Sequence, residues 1–144
     1  MINLINCKCS EKWSSFAPLI LRVVVGATFV VAGWGKIQAG SEAISTFFAS
    51  GGIPFAGFFA PLVMWIEFLG GIALILGVWT HLVSKLLGII MIVAIFTMHI
   101  KNGFTGPGGY QLPLTLLAIL VSLMITGPGK WALGNMKKSG PMTS

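Results

Sequence analysis

The chain has 144 residues, 56% of them hydrophobic and only 8% charged, with a formal charge of +6 and a mean hydropathy of +0.94. Soluble domains carry about a quarter charged residues, so this composition excludes a water-soluble globular protein and points to a single domain embedded in a lipid bilayer. The basic balance does not indicate nucleic acid. The cations flank apolar runs, where they set membrane orientation, instead of clustering on a polar fold.

The first 15 residues are a polar lead that reads as a cytoplasmic tail. They carry both cysteines, in Asn6-Cys7-Lys8-Cys9-Ser10. Nothing nearby completes a tetrahedral metal site, so the plain reading is a pair of reduced thiols; a metal or redox role for the pair is the alternative. The lead lacks the form of a signal peptide. Crossing a bilayer core takes about 20 apolar residues, and four stretches approach that length: about 16–36, 55–78, 82–100 and 110–126. All are expected to be helices, because lipid cannot satisfy an open sheet edge. Between the first two, Glu42–Ser50 reads as a short amphipathic or re-entrant helix with Phe47 and Phe48 dipping into lipid. Glycine-rich connectors separate the spans: Gly51-Gly52-Ile53-Pro54, the turn Gly77 to His81, and Gly103 to Gly109. Pro113 is expected in the first turn of the last span, where its missing amide costs little. The predicted fold is an all-α integral membrane four-helix bundle over residues 16–134, with a second tail at 135–144.

Lys8, Lys12, Lys85, Lys130, Lys137 and Lys138 fall on one side of such a bundle, Lys36 and Lys101 on the other. The positive-inside rule then places both termini in the cytoplasm. Trp13, Trp34, Trp79 and Trp131 lie at span ends, while Trp65 lies near mid-span.

The acidic residues number three: Glu11, Glu42 and Glu67. Only Glu67 sits inside an apolar span. A carboxylate in hydrocarbon is expensive, so it is expected to face the bundle interior and meet a cation. Arg22, Gly26, Phe29, Gly33 and Lys36 share one face of the first span; Lys85, Gly88, Ile92, Ile95 and His99 share one face of the third; Thr115, Ser122 and Thr126 form a weaker polar stripe on the fourth. By depth, Arg22 is the expected partner of Glu67. Lys36 and His99 are expected to share a pocket with Trp34 and Tyr110 on the other side. Glu67 and His99 are the candidate proton donors, and Arg22, Lys36, Trp34 and Tyr110 the candidate substrate-binding residues. The competing reading is a buried ion pair that only fixes helix register. His81 is expected to be merely exposed, and Lys85 to snorkel. No metal site is expected, and a bis-histidine haem is disfavoured because His81 and His99 lie about 27 Å apart along one helix.

These residues in order resemble the DoxX family of small four-helix membrane proteins, from about Ala17 to Leu133. The carrying segments include Leu21-Arg22-Val23-Val24-Val25-Gly26, Gly33-Trp34-Gly35-Lys36, Glu67-Phe68-Leu69-Gly70-Gly71, His99-Ile100-Lys101-Asn102-Gly103-Phe104 and Gly109-Tyr110-Gln111-Leu112-Pro113. The resemblance implies a bacterial-type plasma-membrane protein, tied in some members to sulfur and thiol redox chemistry and in one case to a thiosulfate:quinone oxidoreductase. Family members often have His where Ala32 stands, an acid where Gln111 stands and Arg where His81 stands.

The leading expectation is a membrane subunit of a quinone-linked oxidoreductase, not catalytic alone, with quinone as ligand and a redox protein supplying electrons. A non-enzymatic scaffold or assembly factor and a small-solute transporter are the alternatives. A homo-oligomer is also expected, since four short helices make a narrow bundle.

Overall fold

The computed structural model describes residues 16–136. Cys7, Cys9, Trp13 and the lysines Lys8, Lys12, Lys137 and Lys138 lie outside the described residues. Among the described residues the chain is all helix, with no strand. Helix α1 is Ala17–Ala39, α2 Ser41–Ser50, α3 Ala56–Leu76, α4 Thr80–Ala94, α5 Gln111–Thr126 and α6 Leu133–Met136. Past Ala94, α4 continues through a π turn, Ile95–His99, and a 3-10 turn, Ile100–Asn102. Three of these helical segments are long and apolar enough to cross a membrane: 17–39, 56–76 and 80–102, while α5 is apolar but shorter. The expected all-α architecture is therefore met.

Helix α1 packs most extensively on α3, α4 on α5, and α2 on α3. Glycine sets the α1–α3 spacing. A Cβ placed on Gly71 would lie 2.6 Å from the Gly26 carbonyl oxygen and 2.7 Å from the Val30 nitrogen, and one on Gly33 would lie 2.6 Å from the Phe68 nitrogen. Small residues permit this backbone approach, which in lipid supplies packing that hydrophobic burial cannot. The core beside the seam is Val25, Phe29, Leu74, Val83, Leu87, Met91, Leu116 and Leu120.

At one end of the bundle, Gly77 takes the left-handed conformation (φ +73°) that ends α3, and the Val78 amide returns to the Ala73 carbonyl at 3.0 Å, a Schellman closure. The segment after α5 folds under this turn. Gly134 N donates to the Gly77 oxygen at 3.3 Å, Ala132 is buried, and Trp131 stacks on Phe16 at 5.8 Å. Both ends of the described chain therefore meet at this terminal face, and the Gly103–Gly109 connector lies at the opposite, loop face.

Several expectations about helix faces are corrected. Phe48 does not dip into lipid; it is buried with Ala56 and Ala60 against Ile44, Val63 and Met98, because it shares a face with Ile44 one turn earlier, whereas Phe47 is exposed. Of the stripe Thr115, Ser122 and Thr126, the last two face outward, whereas Thr115 lines a cavity beside the loop. Each hydroxyl donates to its own helix four residues back, at 2.8–2.9 Å, which removes the need for an interior partner. On α4 the packed face is Thr80, Val83, Ser84, Leu87, Gly88 and Met91; Lys85 and Ile92 point away from it. His81 is exposed but not idle, since its Nδ1 donates to the Met124 carbonyl at 2.9 Å and ties α4 to the end of α5.

Candidate functional site

Stepping along the α1–α3 seam fixes the partners. Gly33 faces Phe68, and the side chain of Lys36, one turn on, reaches Glu67; Gly26 faces Gly71 and Ile75, and the side chain of Arg22, one turn back, reaches Gly77 at the end of α3. Lys36 Nζ accordingly donates to Glu67 Oε2 in a tight ion pair. The Glu67 side chain is 2% exposed and that of Lys36 28%. A buried carboxylate without a partner costs several kcal/mol, about what a close cation can offset.

The expected Arg22–Glu67 pair is not formed. Arg22 is completely buried at the terminal face, where the absent side chain of Gly77 leaves room for its guanidinium. Its Nη2 donates to the Trp131 carbonyl at 3.3 Å, and its Nε and Nη1 find no acceptor among the described residues. Register, not depth alone, decides the partner. Arg22 and Lys36 are 14 residues apart on one straight helix, about 21 Å by helical rise, and only one of them can reach Glu67.

His99 closes the π turn after α4. A π turn adds a residue per turn, so residues five apart come level, which sets His99 beside Ala94. The imidazole Nδ1 lies 2.6 Å from the Gly108 carbonyl oxygen. A carbonyl only accepts, so Nδ1 carries the proton and Nε2 is left for exchange. Asn102 Nδ2 donates to the same carbonyl at 3.1 Å. The loop presents that oxygen because Gly108 sits at φ +78°, where a Cβ would also press within 2.8 Å of the Asn102 amide. The loop is clamped by Tyr110 N to Gly103 O and Gln111 N to Phe104 O, both 3.1 Å.

Two cavities meet at this cluster. The first, about 480 Å³, is bounded by Phe47 and Phe48 of α2, Phe59, Leu62, Val63 and Ile66 of α3, and Leu86, Ile89, Ile90 and Val93 of α4. Leu62, Leu86, Ile89 and Val93 are also exposed on the outside of the bundle, so this cavity opens sideways between α3 and α4. The second, about 510 Å³, lies between α1, α5 and the loop and is lined by Thr28, Ala32, Gly106, Gly108, Gln111 and Thr115, among others. Lys36, Glu67, Ala94 and His99 line both, so the ion pair and the imidazole form the shared wall.

Lys36 and His99 thus share a site, as expected, but Trp34 and Tyr110 line neither cavity. Trp34, next to the packed Gly33, is turned outward, half-exposed and tilted against Phe68 at 5.8 Å. Tyr110 sits edge-on to Phe104 at 5.3 Å and supports the loop instead of facing the site. Ala32 and Gln111, the positions at which the chain departs from the resemblance noted above, both line the second cavity.

Comparison with known proteins adds the following. The model of the DoxX family matches residues 17–100. The chain is similar to "Putative oxidoreductase CatD" of Bacillus subtilis, 36% identical over 78% of this chain and 82% of that protein. It is similar to "Inner membrane protein YqjF" of Escherichia coli, 29% identical over 88% of this chain and 95% of that protein. A third relative is the membrane protein Rv3486 of Mycobacterium tuberculosis, 30% identical over 80% and 77%. No solved structure matches the chain.

Proposed function

The chain belongs to the DoxX family of membrane proteins, and on that premise we propose that it is a membrane subunit of a quinone-linked oxidoreductase. The observation that carries the reading is the charged cluster Lys36–Glu67 with His99 on the wall of a cavity lined, apart from Thr97, by apolar side chains. A quinone has a ring whose two oxygens accept hydrogen bonds and an apolar tail. The Lys36 ammonium has donors beyond the one given to Glu67, and the aromatic and aliphatic walls suit ring and tail, with the exit between Leu62 and Ile89 leading into lipid. The volume is within the range of pockets for small molecules, about 300–1,000 Å³. When bound, the quinone supplies the electron-accepting chemistry. The chain's own groups hold the ring oxygens (Lys36) and exchange protons (Glu67 and His99 Nε2). Electrons come from a redox protein partner.

The cytoplasm is the proposed side for the terminal face and the plasma membrane the proposed location. Lys85 and Lys130 are exposed on the terminal face, and the printed name of the Escherichia coli relative places that protein in the inner membrane. With Lys36 drawn into the bundle by Glu67, the loop face keeps only Lys101 among the described lysines, which sharpens the charge asymmetry. The name of the Bacillus subtilis relative carries the word oxidoreductase, in keeping with the redox assignment. A transporter would need a passage from Glu67 to the terminal face, and the buried core cluster stands across that route.

Glu67→Gln in the native membrane complex is expected to lower quinone-linked turnover by about 100-fold, the low end for loss of a general acid–base group, with complex yield unchanged. Turnover per complex that stays at the parent value while yield falls would identify a scaffold instead.

A further inference from the structure

We propose that Glu67 exchanges protons with the loop face alone, through the second cavity, and that the terminal face is sealed against protons by the apolar core with Arg22 beneath it. The inference deepens the proton-handling role given above to the Lys36–Glu67–His99 cluster.

The open side is short and carries polar groups set among apolar ones. From Glu67 the second cavity runs past Thr28 and Thr115 to Gly106, Gly108 and Gln111, which are exposed residues of the loop face. The Thr28 and Thr115 hydroxyls donate to carbonyls of their own helices at 2.9 Å, leaving their oxygens to accept hydrogen bonds from water. A buried water occupies about 30 Å³ and wants two to four polar partners. The cavity has the volume for a chain of them, and the threonine oxygens, the glycine-loop backbone, Gln111, Lys36 and Glu67 supply the partners.

The closed side is apolar, then positive. Leu74, Leu87 and Leu120 are buried toward the terminal end, continuing the core from Phe29 and Met91 on the wall of the second cavity. The hydroxyls of Thr80 and Ser84 lie buried with no partner among the described residues, one to two helical turns before Leu87 on α4. Beyond them sits the Arg22 guanidinium, fully buried against Gly77 and Ala132. A fixed cation in a low-dielectric setting raises the barrier to an excess proton, as it does in water-selective pores.

Two ionisable side chains stand beside the carboxylate. Lys36 from α1 and His99 from the turn after α4 are the ionisable residues on its cavity walls; α2 contributes phenylalanines, and α5 contributes no ionisable residue. Protons used in the first cavity are therefore taken from, or returned to, the loop face.

The test uses the full chain in oriented vesicles, with Cys7→Ser and Cys9→Ser as background and a membrane-impermeant methanethiosulfonate as probe. Ala32→Cys places a small thiol on an exposed wall position of the second cavity. It is expected to label at least roughly tenfold faster from the loop face than from the terminal face, because only a hydrated thiol ionises and reacts. Ser84→Cys is expected to resist the reagent from the loop face. A second readout is the infrared carboxyl band that Glu67→Gln removes, which is expected to follow the pH on the loop side of proteoliposomes. Labelling of Ala32→Cys from the terminal face, labelling from neither face, loop-face labelling of Ser84→Cys, or a band that fails to follow loop-side pH would each overturn the proposal. Labelling does not depend on any bound quinone, so failure of the quinone assignment leaves the pattern intact and failure of the labelling leaves quinone binding untouched.

Discussion

Glu67→Leu is expected to destabilise the detergent-solubilised protein by about 3 kcal/mol, whereas Arg22→Met is expected to leave stability unchanged or raise it by about 1 kcal/mol. Both substitutions remove a buried charge, and their opposite outcomes follow from what each charge touches. Glu67 is the counter-ion of Lys36. Removing it strands an ammonium on the wall of two cavities, where water reaches it only in part, so the cost falls toward the low end of the range for breaking a buried pair. Arg22 has no counter-ion among the described residues. It makes one hydrogen bond, to the Trp131 carbonyl, and leaves Nε and Nη1 unsatisfied while fully desolvated. A flexible apolar side chain fills the same space without that penalty. Thermal unfolding of each variant in one detergent checks the pair of expectations. Glu67→Leu as stable as the parent would mean that Lys36 finds water as readily as it finds the carboxylate.

The second large effect concerns the α1–α3 seam. Gly71→Val is expected to cost about 3 kcal/mol or more, the upper end for overpacking a filled interior, and Gly71→Ala somewhat less. The nearest atoms to an added Cβ are backbone: the Gly26 oxygen at 2.6 Å and the Val30 nitrogen at 2.7 Å. Backbone cannot rotate aside as a side chain can, so the two helices must part along their whole contact, and the level of Lys36 against Glu67 shifts with them. Gly57 provides the control on the same helix. Nothing lies within 4 Å of a Cβ there, so Gly57→Ala is expected to gain up to about 1 kcal/mol from helix propensity alone. Comparable losses at Gly57 and Gly71 would remove the seam from the explanation.

The four-helix plan was legible in the sequence because apolar length and glycine-rich breaks are local signals. Glu67 as the focus of the bundle was legible for the same reason, since one carboxylate in an apolar span stands out against its neighbours. Its partner was not read correctly. Choosing between Arg22 and Lys36 needs the register of α1 on α3, and depth counted from span ends cannot supply it. The register was written in the glycines: Gly26 and Gly33 on one helix and Gly71 on the other mark where the backbones touch, and pairing them before weighing depth would have matched Lys36 to Glu67 and Arg22 to Gly77. Trp34 was misplaced by the same neglect, since it follows Gly33 and so must turn about 100° away from the packed face. The inward approach of His99 depends on a π turn, which leaves no mark in the residue pattern.

A double-mutant cycle on Lys36 and Glu67 tests the central claim most directly. Lys36→Met, Glu67→Leu and the pair together would be compared by unfolding free energy in a single detergent. If the two charges hold each other, the double variant recovers much of what either single change loses, with a coupling of about 2 kcal/mol. Losses that add to within about 0.5 kcal/mol, or a coupling that appears for Arg22 with Glu67 instead, would contradict the arrangement.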